Sequence, residues 1–424
     1  MRILVIGSGG REHSLCWAIN RSPLCQKLFC APGNAGIAEL AIIVPINIEE
    51  VDALVIFAQI NVIDFVVIGP EKPLVLGLVD KLEAVGIKAF GPNISAALLE
   101  KSKGFMKNIL NKYKIPTAAY RIFNNAEVAK EFIRTKGVPI VIKADGLTGG
   151  KGVVVATNLD EAITSVDNMM YEKKFGIAGN KLVIEEFLTG EEVSFFAIVD
   201  GITALPLIAV QDHKRVGDGD TGSNTGGMGA YSPVPLITPE IINKIMKRCI
   251  LPTINGMAIS GRPYRGVLFA GLMIDKGNPK ILEYNVRFGD PECQVIISRL
   301  TSDIVPLMLS SINGKLTEQK IEWSQNSALV VVMASKGYPG NYSKNTVIDG
   351  INDANQVSGV KIFHAGTDRN SIGQFIATGG RVLNVTAIGF NVEDARERAY
   401  RAIDMIHWSD GFYRNDIGWQ AIGK

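Results

Sequence analysis

The first hundred residues alternate short apolar runs with helical stretches, and this alternation limits the fold more than any other feature of the chain. The runs are RILVIG (2–7), KLFCAP (27–32), DFVVIGPE (64–71) and IKAFGP (87–92). Each run ends in glycine or proline turn chemistry, which is typical of a parallel α/β sheet. Because ligands of such sheets bind at the carboxyl ends of strands, the segments 7–13, 32–36 and 69–71 are candidate binding segments.

Length and composition restrict the class of protein. With 424 residues the chain exceeds one ordinary core, so two to four domains are expected. A formal charge of +2 argues against nucleic-acid binding. Five cysteines without a CxxC pair suit a reducing compartment, and no window reaches the roughly 18 apolar residues of a membrane span. We therefore expect a cytoplasmic monomer that acts on small molecules, with neither nucleic acid nor membrane as a partner.

The first turn, GSGGRE, raises the question of a dinucleotide site. Its glycines stand at 7, 9 and 10, but Glu12 occupies the place of the third glycine of GxGxxG. The acid expected at the end of the second strand is also missing, which argues against NAD binding. Two interpretations stay open, a phosphate site at a helix N-terminus and tight turns alone.

A glycine-rich segment follows Lys143, which ends an apolar strand and precedes ADGLTGGKGVVV. A loop of this kind, with Lys151 inside it, is typical of a phosphate lid in which backbone amides and an ammonium group face phosphate oxygens. It is not a Walker loop, because Gly152 follows Lys151 where Ser or Thr is required. A plain β-hairpin is the alternative.

The stretch VIEEFLTGEE (183–192) carries two acid pairs around a short connection. Backbone groups near Glu186 and Leu188 could read the edge of an adenine, and Glu191 could hold ribose hydroxyls. By itself the stretch is better explained as an acidic surface linker.

Residues 211–233, QDHKRVGDGDTGSNTGGMGAYSP, are too rich in glycine for a helix interior or a central strand. A loop of this length inside a compact chain is functional or disordered, and its mixed composition favours function. Asp212, His213 and Lys214 would then point into a site. His213 could be a general base or a hydrogen-bonded residue that orients its neighbours.

The stretch ILEYNVRFGDPECQ (281–294) predicts a strand with polar groups on one face and Leu282, Tyr284 and Val286 on the other. The polar groups are Glu283, Asn285 and Arg287. Two hard oxygen ligands suit Mg²⁺ or Mn²⁺, and a guanidinium can neutralise a transferring phosphoryl group. Asp290 and Glu292 follow in a turn. The alternatives are a structural ion-pair cluster and, for Cys293, a nucleophile rather than a buried thiol.

Together these motifs resemble the ATP-grasp superfamily and, within it, the glycinamide ribonucleotide synthetase family. VIGSGGREHSL, PGNAG and GPE are similar to the family's first domain, KADGLTGGKGV and VIEEFLTGEEVSF to its nucleotide clamp, and FHAGT with TGGRVLNVTAIG to its C-terminal domain. The stretches 211–233 and 285–294 are similar to its most distinctive signatures. The chain departs from the family at Thr148 and Gly149, where alanines are common, and at Ser223, where proline is common.

The resemblance implies an α/β and α+β multidomain fold: a parallel α/β pre-ATP-grasp domain (1–100), a two-part ATP-grasp domain (101–325) with a lid (117–190), and a small strand-rich C-terminal domain (326–424). It implies ATP-driven joining of glycine to 5-phosphoribosylamine through glycyl phosphate, without a protein nucleophile. The alternatives are another ATP-grasp ligase, acting on a purine intermediate or in biotin-type carboxylation, and a non-catalytic nucleotide-binding regulator.

Site residues are implied at the positions that match the family's motifs. The ATP-binding residues are Lys103, Lys143, Gly149, Gly150, Lys151, Glu185, Glu186, Phe187, Leu188 and Glu191. The metal ligands are Glu283 and Asn285, for Mg²⁺ or Mn²⁺. The substrate-binding residues are Gly9, Asn34, Gly36, Glu71, Asp212, Arg287, Asp290 and Glu292. The catalytic residues are Arg287, Lys214 and Asp212.

Overall fold

The N-terminal hundred residues form a five-stranded parallel sheet, as the alternation predicts. The computed structural model describes residues 1–149 and 151–423. The strands lie in the order β3-β2-β1-β4-β5. Strands and helices here are β1 (Arg2–Gly7), β2 (Lys27–Pro32), β3 (Ile42–Ile43), β4 (Phe65–Ile68), β5 (Lys88–Phe90), α1 (Gly10–Asn20), α2 (Val51–Ile60), α3 (Glu71–Val75) and α4 (Leu78–Ala84). The carboxyl ends of β1 and β2 therefore bring the Gly7 and Pro32 turns to one edge.

Glycines at the edge of this sheet make room for a buried acid. Glu12, 1% exposed, lies beneath the first turn and accepts a hydrogen bond from the Gly9 N–H at 2.7 Å. A Cβ on Gly69 would lie 1.9 Å from its Oε1. The glycine turn is thus shaped around an internal carboxylate, which a third glycine at position 12 would have removed.

Two short helices lead into a four-stranded antiparallel sheet with strand order β6-β9-β7-β8. The elements are α5 (Leu98–Lys101), α6 (Lys103–Lys112), β6 (Tyr120–Phe123), α7 (Ala126–Lys136), β7 (Ile140–Ala144), β8 (Val153–Ala156), α8 (Leu159–Met170) and β9 (Leu182–Glu186). Side chains of α7, α8 and the sheet form a separate apolar cluster. Helix α6 begins after Ser102, whose hydroxyl accepts from the Phe105 N–H at 3.0 Å.

A second antiparallel sheet has the order β11-β10-β16-β17, in which β10 with β11 and β16 with β17 form hairpins. This part of the chain comprises β10 (Glu191–Asp200), β11 (Ala204–Pro206), β12 (Gln211–Asp212), β13 (Arg215–Gly217), β14 (Thr221–Asn224), β15 (Gly229–Ser232), α9 (Pro239–Ile245), α10 (Leu251–Ile259), β16 (Arg265–Asp275), β17 (Asn278–Asn285), α11 (Glu292–Arg299) and α12 (Ile304–Asn313). Among the helices of the described residues, none has both the length and the apolar character needed to cross a membrane.

A β-bulge in β17 alters the predicted alternation. Gly271 pairs with Glu283 while Leu272 pairs with Ile281, so Leu282 is the extra residue. Ile281 is fully buried and Leu282 is not, so the expectation that Leu282 fills the apolar face is wrong. Beyond the bulge the alternation holds.

The C-terminal part of the chain is strand-rich, as expected. Its elements are β18 (Ser327–Ser335), β19 (Thr346–Ile348), α13 (Ile351–Ala354), β20 (Val360–His364), β21 (Thr367–Arg369), β22 (Phe375–Ala377), β23 (Arg381–Gly389), α14 (Val392–Ile403) and β24 (Gly411–Phe412). A six-stranded sheet has the order β12-β15-β18-β23-β20, with β24 paired to β18, and a smaller sheet has the order β19-β22-β21.

Strand β15 lies between β12 and β18, so the expectation that residues 211–233 contain no central strand is wrong. Ala230 and Tyr231 are fully buried there. The glycine content is compatible with the strand because a Cβ on Gly229 would lie 2.7 Å from the Val330 carbonyl oxygen. Glycine permits this close approach of two backbones.

Candidate functional site

Two oxygen-bearing side chains at the end of β17 are left without a partner by residues 1–149 and 151–423. Within the described residues, the carboxylate of Glu283 and the amide of Asn285 make neither a hydrogen bond nor an ion pair, and both residues are half-buried. Burial opposes ionisation of Glu283, but Lys214, Lys143, Lys103 and Arg287 outweigh burial and lower its pKa. Glu283 is therefore ionised, and its carboxylate accepts no hydrogen bond from the part of the chain that the structure describes.

These two residues fit a hard divalent ion that takes its other oxygens from nucleotide phosphates. Groups of three or more His, Cys, Asp or Glu side chains placed to hold a metal are absent from residues 1–149 and 151–423. A metal at Glu283 and Asn285 would consequently depend on a bound phosphate for much of its coordination.

Lys143 reaches across from the first antiparallel sheet to the second. Its Nζ lies 3.0 Å from Glu185 Oε1 and donates to the Leu282 carbonyl at 3.2 Å, the carbonyl of the bulge residue. The other carboxylate oxygen of Glu185 lies 3.0 Å from Lys107 Nζ. Lys107 is fully buried and also donates to Thr117 Oγ1 at 2.7 Å. Sequence analysis did not single out Lys107, which resembles any charged residue of an amphipathic helix.

The predicted adenine-binding segment connects β9 to β10. The Glu186 N–H donates to the Ala119 carbonyl at 2.9 Å, so this N–H is not available to a base. The Glu186 carboxylate accepts from the Ala119 N–H at 2.9 Å. Phe187 is 43% exposed, Leu188 is half-buried, and Glu191 opens β10 on the exposed side.

The predicted phosphate-binding loop, the glycine-rich segment that contains Lys151, connects β7 to β8. Gly149 has a φ of +58°, while Gly150 lies outside the described residues. Lys151 Nζ donates to the Pro339 carbonyl at 3.3 Å, and Lys103 Nζ donates to the Gly146 carbonyl at 3.2 Å. The loop thus contacts both the helix that carries Lys103 and the C-terminal part of the chain.

Arg287 follows the end of β17 and forms ion pairs with two carboxylates. Its Nε lies 2.9 Å from Glu71 Oε2 and its Nη2 lies 3.2 Å from Glu100 Oε1. Despite burial, Arg287 and Arg11 lower the pKa of Glu71 to about 2. Burial raises the pKa of Glu100 to about 7, and Arg287 only partly offsets this. The structure brings Arg287 and Glu71 together, whereas Glu100 was not predicted.

Asp212 and Glu292 meet at a buried serine. Ser194 Oγ lies 3.4 Å from an oxygen of each carboxylate. Burial, followed by the charge of Asp212, raises the pKa of Glu292 to about 7. Lys214 contacts Glu192 and lies 3.9 Å from Asp212. The predicted residues Asp212, Lys214 and Glu292 therefore form one cluster, with Ser194 as an unpredicted member.

His213 does not point into this cluster. It is 1% exposed, and its Nε2 accepts from the Gly418 N–H at 3.0 Å. The expectation of a histidine directed into the site is wrong, and the alternative of a residue that orients its neighbours fits the contacts.

The remaining predicted substrate residues, apart from Gly36, line a cavity of about 300 Å³. Gly9, Asn34 and Asp290 line it together with Arg381, which sequence analysis did not single out. The Asn34 amide is held by four hydrogen bonds to backbone groups, and Gly36 instead packs against two histidine rings. The cavity adjoins Glu292 through the 289–292 turn.

Lys103, Lys143 and Lys214 lie around Glu283 of β17. This cationic site, built on two antiparallel sheets, is typical of the ATP-grasp class of enzymes. Residues 1–100, 101–293 and 328–420 match the N, ATP-grasp (A) and C domains of phosphoribosylglycinamide synthetase. The chain belongs to the phosphoribosylglycinamide synthetase family.

Named relatives agree over the full length. The chain is 54% identical to the phosphoribosylamine–glycine ligase of Brucella melitensis, over 100% of this chain and 99% of that one. It is 53% identical to the Escherichia coli K12 protein of the same name, with the same coverage. The Thermotoga maritima phosphoribosylamine–glycine ligase structure superposes with a TM-score of 0.86 at 34% identity, covering 98% of this chain and 100% of that one.

A more distant likeness concerns the fold alone. The biotin carboxylase domain of the Hydrogenobacter thermophilus 2-oxoglutarate carboxylase, solved with MgADP, ADP and bicarbonate, gives a TM-score of 0.74 at 17% identity, covering 97% of this chain and 91% of that one.

Proposed function

We propose that the chain is an ATP-dependent ligase that joins glycine to 5-phospho-D-ribosylamine, giving glycinamide ribonucleotide, ADP and phosphate in purine biosynthesis. One observation carries the assignment: Lys214 lies between Glu283, whose oxygens no described residue contacts, and the Asp212–Glu292 pair. The first group suits nucleotide phosphates and the second suits an amine on a sugar phosphate.

ATP binds where the lysine side chains are concentrated. Lys103, Lys143 and Lys151 neutralise phosphate charge, and the segment from Glu185 to Leu188 holds the adenine, with Glu191 on the ribose. Glu185 keeps Lys143 extended by pairing with it and with Lys107. Glu283 and Asn285 would hold Mg²⁺ or Mn²⁺, which when bound supplies charge neutralisation to the transferring phosphoryl group.

The chemistry proceeds in two displacements. A carboxylate oxygen of glycine attacks the γ-phosphorus, the bond to ADP breaks, and glycyl phosphate forms. The amine of phosphoribosylamine then attacks the acyl carbon, the C–O bond to phosphate breaks, and the proton lost by the amine passes to the Asp212–Glu292 pair. Positioning and electrostatics supply the catalysis, with Arg287 and Lys214 stabilising the charge that develops.

The acceptor occupies the cavity lined by Gly9, Asn34 and Asp290, beside Glu71. Such an enzyme works on small molecules as a cytoplasmic monomer. The described helices and the near-neutral charge are compatible with this location and these partners.

The decisive experiment measures ADP release by the purified protein. ADP should appear only with glycine, phosphoribosylamine and Mg²⁺ all present, and glycinamide ribonucleotide should form in equal amount. Turnover of ATP with a different acid, and indifference to glycine, would favour another ATP-grasp ligase. Nucleotide binding without any turnover would favour a regulator.

A further inference from the structure

The glycine-rich loop that carries Asp212 and Lys214 is fastened to the end of the chain. We call residues 215–224, which include β13 and β14, the hairpin, and residues 411–418 the tail. Arg414 of the tail is 1% exposed and is among the largest fully buried side chains. A buried arginine needs paired carboxylates, and its partners show what it holds together.

Arg414 joins the two segments through charge. One nitrogen, Nη1, lies 2.8 Å from Asp220 Oδ1 of the hairpin and donates to the Arg215 carbonyl at 3.0 Å. Nε lies 2.7 Å from Asp416 Oδ1 within the tail. The Asp416 carboxylate also accepts from the Gly219 N–H at 2.8 Å. The tail therefore fixes the hairpin at its first residue and in its turn.

His213 connects these contacts between tail and hairpin to the segment that contains Asp212 and Lys214. Its Nε2 accepts from the Gly418 N–H, and its Nδ1 lies 3.9 Å from Asp220 Oδ1. Hydrogen bonds of its backbone N–H to the Gly229 carbonyl and from the Met228 N–H to its own carbonyl place it in register with β15. Its neighbours on either side are Asp212 and Lys214.

Packing contributes little to holding the hairpin. Residues 221–224 are all exposed. A cavity of about 460 Å³ separates Val216 and Gly217 of the hairpin from Tyr338 and Tyr413. Directed polar bonds from the tail, rather than an apolar interface, thus determine where the hairpin lies.

We propose that Arg414 is a positioning residue that acts through Asp220 and His213 to hold Asp212 and Lys214 against Glu292 and Glu192. The proposal rests on the proposed function, because Asp212 and Lys214 have catalytic roles only in that reaction. It assigns the tail a part in catalysis through the hairpin and His213, which tail residues contact.

The first test is Asp220→Asn, which weakens the link to the hairpin and leaves the Arg414–Asp416 pair inside the tail intact. Asp220 is 40% exposed, so the variant is expected to fold. The matched control is Glu39→Gln, since Glu39 lies 3.0 Å from Arg369 in another exposed ion pair that joins the C-terminal part to the rest. Arg414→Lys is the second variant, because lysine keeps the charge but loses the fork that reaches both segments.

For Asp220→Asn we expect kcat to fall about tenfold while KM for ATP stays within about twofold, because a misplaced loop impairs chemistry and not nucleotide binding. Trypsin should cleave after Lys214 or Arg215 about tenfold faster, since a hydrogen bond between charged groups is lost. Arg414→Lys should show both changes and Glu39→Gln neither. The proposal would be overturned if Asp220→Asn were cleaved faster but kept its kcat, or if neither its cleavage rate nor its kcat changed. Equal changes in Glu39→Gln would also overturn it.

Cleavage rates separate this inference from the proposed function. They require no substrate, so the contrast between Asp220→Asn and Glu39→Gln can be measured even if the wild-type protein fails to form glycinamide ribonucleotide.

Discussion

Glu283 and Arg287 stand four residues apart and differ in how their charges are balanced. Arg287 contacts two carboxylates, from Glu71 and Glu100, and is in effect neutralised within the protein. Glu283 has no contact partner among the described residues and is balanced only at longer range by surrounding cations. Removing such a charge changes the free energy of unfolding little, and the charge is available to bind a ligand.

We therefore expect Glu283→Gln to separate activity from stability. ADP release should fall at least about 100-fold because an electrostatic ligand of the transition state is lost. The free energy of unfolding should change by no more than about 1 kcal/mol, since no buried contact is broken. Glu240→Gln, which removes an exposed partner of Lys244, serves as the control for both measurements. Retained activity with a large loss of stability would restore the structural ion-pair interpretation.

At the scale of elements, helix α1 packs against strand β20 through two buried histidines. His13 Nδ1 accepts from the His364 N–H at 2.8 Å, and His364 Nδ1 lies 3.0 Å from Thr367 Oγ1. Burial, then His364 and Lys361, lower the pKa of His13. Burial, then Arg369 and Lys361, lower the pKa of His364 to about 3. Both rings are therefore neutral in the folded protein at neutral pH.

This arrangement predicts a loss of stability in acid. A histidine with a lowered folded-state pKa binds its proton in the unfolded chain first, so stability is present above pH 6.5 and falls as the pH drops towards the folded value. Each such histidine contributes at most about 1.4 kcal/mol per pH unit in that window. His364→Asn should therefore reduce the loss between pH 7.5 and about pH 5.5, measured by denaturant unfolding.

The exposed His407 provides the control for that measurement, since His407→Asn should leave the pH dependence as it is in the wild-type protein. Glu100 and Glu292 titrate in the same range with the opposite sign, because their pKa values are raised, but they are common to all three proteins. An unchanged slope in His364→Asn would refute the assignment of a neutral buried pair.

Features of the fold and site that depend on residues close together in the sequence could be predicted, and those that depend on distant residues could not. The parallel sheet, the hairpins and the free oxygens of Glu283 and Asn285 follow from local alternation and turn chemistry. The Lys107–Glu185 pair and the role of Arg414 depend on side chains far apart in the sequence, which no local pattern encodes. Strand β15 was missed because its glycine looks unfavourable until the backbone of β18 is placed beside it.

At the scale of the whole molecule, the sheets differ in how they are assembled. The β6-β9-β7-β8 sheet takes all its strands from one stretch of chain and has its own apolar cluster. The C-terminal sheet takes β12 and β15 from the ATP-grasp part, and Tyr231 of β15 belongs to its apolar cluster. The predicted boundary at 325/326 therefore divides a sheet, although the predicted lid limits do not.

This difference predicts opposite results for two excised fragments. Residues 327–424 alone would leave an open edge along β18, expose the face that packs on Tyr231 and leave Arg414 without Asp220, so we expect a fragment without a cooperative thermal transition. Residues 117–190 should unfold cooperatively, since their sheet is complete. Adding residues 1–326 to the C-terminal fragment should restore both a transition and ADP release, because the missing strands return. Circular dichroism on heating measures folding in each case, and a cooperative transition in residues 327–424 alone would show that β12 and β15 are dispensable to that sheet.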